Sequence, residues 1–544
     1  MKRARPARTL FTTAILLTAI FALLAFHRVM LVRAAPTFKG VLTYHNNNLR
    51  TGQNPSETML TLKNVNSTMF GKLFTISTDG RVDAQPLYAP NVVIPANGTH
   101  NVLFVASEHG TVYGFDADTG TNLWHVTTLA AGETSSDNRG CSQVTPEIGV
   151  TSTPVIDLTA GAHGTIYVVA MSKDANGNYH QRLHALDITS GAEEFGGPVE
   201  ITAKYSGTGD NSQGGYVIFD PKQYKERAGL LIVNHVVYTS WASHCDIRPY
   251  TGWIMSYNET TLAQKSVLNV TPNGNEGAIW AAGAGPAADS GGNIYFLDAN
   301  GTFDPTLNAN GFPVNGDYGN AIVKLSIKKG QLSVSDYFNM YNTVSESNAD
   351  EDLGSGGAMV LPNFKDSNGI VHQLVVGAGK DANIYLVDRT NMGKFNPNNN
   401  SQIYQEVSGA LGGQVFSAPA FSYNRIYYGA VGDSIKEFSF NANGLLNATP
   451  SSATSATFDF PGATPSISGS SAQNLILWAT ENTSPAVLHA YNASNLSVEL
   501  YNSNQAGGGR DQFGNGNKFV TPTIANGKVF VGTTSGVGVF GLLQ

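Results

Sequence analysis

A β-rich unit recurs eight times along this chain, and that recurrence restricts the fold more than any other feature. One copy begins at QPLYAPNVV (85–93) and continues through FVASEHGTVYGFDADTGTNLW (104–124). The others run at 152–191, 229–262, 285–326, 356–391, 417–440, 464–496 and 521–543. Each has a T/S-x-P-like start, a Gly turn, a Y/F-V-x strand, a second turn, and an A-x-D strand ending near T-G. Three to four short strands per copy alternate apolar and polar residues. Variation in length falls in Asn/Gly/Ser-rich loops. Several strands per unit at this period mark a β-propeller. One four-stranded sheet cannot bury both faces, but eight packed radially can. The expected architecture is all-β, an eight-bladed β-propeller of four-stranded antiparallel blades. Because the last copy supplies only inner strands, GKLFTIST (71–78) is expected to complete that blade and close the ring. The alternative, two smaller β domains, lacks a Pro- or Ser-rich linker to separate them.

Charged residues make up only 13% of the 544 positions and glycine fills 59, so turns are abundant and long solvated helices disfavoured. The net charge of −8 is dispersed, and Lys/Arg cluster only in the first eight residues, which argues against a nucleic-acid surface. Those residues, MKRARPAR, precede the uncharged run LFTTAILLTAIFALLAF (10–26) and then VRAA (32–35). This order describes an export signal or a retained anchor. The expected organisation is a signal peptide or N-terminal membrane anchor over 1–35, a strap over 36–70 and the propeller over 71–544. The chain is expected to be secreted, periplasmic or anchored to the outer face of the membrane, touching it only through the N-terminal segment, and monomeric. In an oxidising compartment the two cysteines, Cys141 and Cys245, suggest one disulfide; two separate buried thiols are the alternative.

The repeat G-x-x-Y-V-x-x-x-x-G-x-x-x-A-x-D-x-x-T-G-x-x-x-W resembles that of the pyrroloquinoline quinone (PQQ) propellers. That superfamily includes quinoprotein alcohol dehydrogenases and non-catalytic relatives such as the propeller lipoprotein of outer-membrane assembly. The resemblance covers about 80–543 and implies PQQ and calcium as cofactors. In EGAIWAAGAGPAADSGGNIYFLDANGTFD (276–304) it implies Trp280 as the floor beneath the quinone and Asn300 as a calcium ligand. NADEDLGSGG (348–357) offers Asp350 or Asp352 as the catalytic base, and GKDANIYLVDRT (379–390) places Lys380 against the quinone. NRGC (138–141) resembles a segment near the quinone cover and offers Arg139. The family's calcium-ligating Glu, aligned without gaps on ASHCDIRP (242–249), becomes His244; a local shift would bring Asp246 there instead. The vicinal cysteine pair of the alcohol dehydrogenases and a CxxCH haem motif are both missing from the sequence.

Outside these matches, TYHNNNLRTGQN (43–54) could line a sugar-binding rim through His45, Asn46–Asn48 and Arg50, or pack as a strap across the bottom face. Arg510 and Asp511 could form a funnel pair or a structural salt bridge. Function is expected to be non-catalytic, a binding or scaffold protein for a protein or glycan. A PQQ- and calcium-dependent dehydrogenase of alcohols or sugars is the alternative, and a propeller-type carbohydrate hydrolase or lyase the second alternative.

Overall fold

Runs of Val, Ile, Tyr and Phe, cut at short intervals by Gly, Asn and Asp, fold as short antiparallel strands. The computed structural model describes Met1 and residues 38–544; the rest of the expected signal or anchor segment lies outside the described residues. No described helix is long and apolar enough to cross a membrane. Almost no helix occurs, the one α-helix among the described residues being Thr343–Asn348.

Meander sheets succeed one another through the described residues, numbered here 1 to 8: 87–127, 155–200, 225–269, 287–339, 359–407, 420–458, 466–502 and 523–542. Sheet 8 takes its outer strand from the other end of the chain. Phe70–Ser77 pairs antiparallel with Gly536–Leu542, from Phe70 opposite Leu542 to Ser77 opposite Gly536.

The apolar core lies between neighbouring sheets. Tyr167 of sheet 2 is buried with Trp241, Trp253 and Tyr257 of sheet 3, and Phe70 and Phe540 of sheet 8 with Trp478 and Tyr501 of sheet 7. Trp124 of sheet 1 donates from Nε1 to the Ile188 carbonyl of sheet 2 at 3.0 Å. The Gly191 turn lies flat against that indole, where a Cβ would come within 2.7 Å. The turns that follow the A-x-D strands are local. Asp116, Asp187 and Asp388 each accept the backbone N–H groups that follow them, at 2.7–2.9 Å.

The strap meets the first strand of every sheet in turn. Val41 bridges Tyr88 of sheet 1, and the Leu42 carbonyl accepts from Ile156 N of sheet 2 at 2.8 Å. Asn48 donates to the Ile232 carbonyl of sheet 3 and accepts from Ala288 N of sheet 4. Leu49 and Thr51 accept from Val360 N of sheet 5 and Phe421 N of sheet 6. Gln53–Asn54 adds in parallel to Ser466–Ser468 of sheet 7, and Asn54 Nδ2 reaches the Ile524 carbonyl of sheet 8 at 2.9 Å.

A sugar rim here is therefore ruled out, since His45 and Arg50 are fully buried. The Arg50 guanidinium donates to the carbonyls of Tyr44, Leu230 and Pro286 and to Thr43 Oγ1. Burial lowers its pKa to about 9, and burial holds the His45 imidazole neutral with a pKa of about 4. Arg510 and Asp511 pair at 2.7 Å, and Asp511 also takes the Tyr501 hydroxyl, which makes them a brace between sheets 7 and 8.

Candidate functional site

At the end of the sheets where the first strands begin, inter-sheet connections enclose a pocket of about 350 Å³, within the usual size for a small-molecule site. Trp280, Asp246, Asp350, Asp352 and Lys380 all line it. Trp280 sits in the connection from sheet 3 to sheet 4, where Ala281 and Ala282 adopt left-handed backbone (φ 42° and 48°) before Gly283. Phe416 and Phe519 lie 5.9 and 6.2 Å from its ring.

One wall is a charged knot. Lys380 Nζ stands 2.7 Å from Asp350 Oδ1 and 2.7 Å from Asp352 Oδ2. Its backbone N–H also donates to the Asp352 carbonyl at 2.9 Å, because Gly379 lets the two chains touch. Asn300 ties the same acids from behind, N–H to Asp352 Oδ1 at 2.7 Å and Nδ2 to Asp350 Oδ1 at 2.9 Å. The Asn300 Oδ1 is buried without a partner among the described residues. Asp352 is 7% exposed in its side chain and Asp350 69%, so the two carboxylates differ in character. Burial raises the Asp352 pKa to about 6, opposed by Lys380. Burial works against the Lys380 ammonium, but Asp352 and Asp350 outweigh it and its pKa rises. Asp246 accepts the Tyr250 hydroxyl at 2.9 Å, and its charge raises the pKa of Asp352 and Glu276.

Another part of the lining is basic. Arg227 lies over the Phe519 ring at 5.0 Å and reaches Asp83 at 3.6 Å. Lys225 is buried, and its ammonium has no hydrogen bond or ion pair among the described residues. Burial and then Arg227 bring its pKa down to about 8. Sequence reasoning missed this wall, although a positional signal exists. Phe416 and Phe519 each stand three residues before the proline that opens a first strand, and Arg227 holds the same place in its copy.

One expectation needs correcting. Arg139 does not line the pocket; it stacks on Tyr179 at 4.6 Å and bonds to the Tyr179 hydroxyl and the Lys222 carbonyl. His244 turns to the Tyr224 carbonyl, and burial lowers its pKa to about 3, while the pocket-facing acid is Asp246. Cys141 and Cys245 form a disulfide that joins the loop of Arg139 to the pocket wall.

No family model matches the chain, and no curated protein matches it by sequence. Solved structures do. The quinohemoprotein alcohol dehydrogenase of Comamonas testosteroni aligns with a TM-score of 0.60 and 14% identity, over 94% of this chain and 81% of that one. The quinohemoprotein alcohol dehydrogenase ADHIIG of Pseudomonas putida HK5 gives 0.59 and 11%, over 93% and 80%. A europium-containing methanol dehydrogenase gives 0.55 and 11%, over 91% and 89%. The fold is that of the PQQ-like β-propellers. At such identities chemistry has to be argued from the pocket's own side chains.

Proposed function

We propose that this chain is an extracytoplasmic, monomeric quinoprotein-type propeller whose pocket binds a planar, multiply anionic cofactor and oxidises an alcohol or sugar. We take the sheets as the eight blades of one ring over 71–544, closed by the Phe70–Ser77 pairing; the strap's sequential bonds to all eight support this. One observation carries the reading: a single pocket is lined by the aromatic face of Trp280, by Lys225 and Arg227, and by Asp246 and Asp352. Among the described residues the Lys225 ammonium has no bond, and Asn300, bonded in behind Asp352, keeps an orphaned amide oxygen. Trp280 gives a flat ring a stacking surface, and Lys225 and Arg227 supply positive charge for carboxylates. Asp246 and the Asn300 Oδ1 are hard oxygen donors of the kind that suit calcium. PQQ and calcium therefore fit the residues present.

When bound, the quinone would accept the electrons of the substrate C–H bond, with calcium polarising it. Asp352 is the proton acceptor for the substrate hydroxyl, since a pKa of about 6 leaves it ionised at neutral pH yet basic. Lys380 and Asn300 hold its carboxylate in one orientation. The phenyl rings of Phe416 and Phe519 exclude water from the face of Trp280.

The test is dye-linked oxidation of alcohols and sugars by protein reconstituted with PQQ and calcium. Turnover that falls by about 10²-fold or more in Asp352→Asn is expected. Quinone bound with no turnover on any substrate would return the protein to a non-catalytic binding role. The observation favouring that second reading is Lys380, which neutralises both carboxylates.

A further inference from the structure

The repeat gives each pair of neighbouring sheets the same set of positions, so a departure at one interface can be judged against another. Between sheets 4 and 5, Asp289 closes the first strand of one sheet and Arg389 follows the third strand of the next. They pair at 3.1 Å, both nearly buried, with the Tyr295 hydroxyl on Asp289. Between sheets 2 and 3 the corresponding residues are Asp157 and Glu259, with Tyr167 in place of Tyr295. The backbone confirms the register. Arg389 N donates to the Gln373 carbonyl, and Glu259 N to that of His235. A conserved geometry thus holds two carboxylates where its counterpart holds an acid and a guanidinium, with His235 beside them.

No Lys or Arg among the described residues pairs with either acid. Glu259 is 5% exposed, its Oε1 bonded to His235 Nδ1, and its Oε2 is buried with no partner. Asp157 accepts Thr159 N and Oγ1 on Oδ1 alone. One ligand atom from each of the three residues lies within 4.8 Å of the others. A buried carboxylate oxygen with no donor, next to a second carboxylate, calls for a cation.

We propose that Asp157, His235 and Glu259 form a divalent-metal site between sheets 2 and 3, with zinc the favoured ion. One imidazole nitrogen and two carboxylate oxygens suit zinc; calcium would take oxygens only. Ligand atoms about 2.0–2.2 Å from a shared ion lie roughly 3–4 Å apart, within reach of a rotamer adjustment at the exposed His235. His235 leaves a side open to water. The site is separate from the pocket: His235 precedes the strand Val236–Ala242, and only the far end of that strand, Ala242, lines the pocket. Seven residues of strand put the two about 20 Å apart. The inference stands whether or not the pocket holds a quinone.

Zinc(II) alone, titrated calorimetrically into the full chain, is the probe. One ion per chain is expected, with affinity reduced at least about tenfold in His235→Ala. His235 is on an exposed turn, so that variant tests the site even if changes at the buried glutamate impair folding. Glu259→Arg recreates the ion pair of sheets 4 and 5; it should abolish zinc uptake while the melting temperature holds or rises. Asp246→Asn, in the pocket, should leave zinc binding unchanged. The proposal fails if zinc does not bind saturably, if His235→Ala binds as wild type, or if Asp246→Asn removes the ion.

Discussion

Two buried cations, Arg50 in the strap and Lys225 in the pocket, show how these two neighbouring regions of the molecule differ. Arg50 satisfies its guanidinium on three carbonyls and a hydroxyl drawn from the strap and from sheets 3 and 4. Lys225 is buried against Arg227 with no bond to its ammonium among the described residues. The first arrangement is complete without a ligand, and the second is not. Burial alone therefore says little about role; the bonds left unmade separate a group that holds the fold from one that waits for a ligand.

The largest expected effect breaks the strap. Arg50→Met leaves its acceptors buried and unbonded and should cost about 3–5 kcal/mol, read as a lower urea midpoint. Removing the disulfide with Cys141→Ala plus Cys245→Ala comes next. Loss of a disulfide typically costs about 2–4 kcal/mol, here together with a looser pocket wall and weaker ligand binding.

The pH dependence sharpens the contrast, because His45 and Asp352 act with opposite sign. His45 titrates near 4 in the fold, down from 6.5, so its contribution to stability is lost as pH falls from 6.5 toward 4. Asp352 titrates near 6, up from 3.8, so its contribution is present at low pH and lost as pH rises from 4 to 6. Thermal melts of Asp352→Asn across pH 4–6.5 should rise more steeply with pH than those of wild type. An unchanged slope would contradict the assignment. The smallest effect is Lys225→Met, which removes an unpaired buried charge and should leave stability within about 1 kcal/mol of wild type, or raise it, while weakening ligand binding.

The repeat made the sheets legible, since alternation of apolar residues and the Asp-led turns after A-x-D strands report local pairing that each copy settles by itself. Even the pairing of Phe70–Ser77 with the last sheet followed from a missing strand. In the pocket, Trp280, Asp350, Asp352 and Lys380 were readable because they stand in recognisable segments. Lys225, Arg227, Phe416 and Phe519 were not, because they come from three separate copies and converge only when the sheets pack. Arg139 misled because a three-residue match cannot foresee Tyr179, forty residues on, taking the guanidinium. The strap was expected over 36–70; the choice between strap and sugar rim for 43–54 was decided by the burial of His45 and Arg50.

The most direct test of the central claim is an equilibrium titration of PQQ, with calcium present, into wild type, Trp280→Ala and Lys225→Met. Saturable binding at one quinone per chain, weakened at least about tenfold by either substitution, is predicted. Wild-type protein that binds no quinone, or binds it equally well without Trp280 and Lys225, would contradict the account.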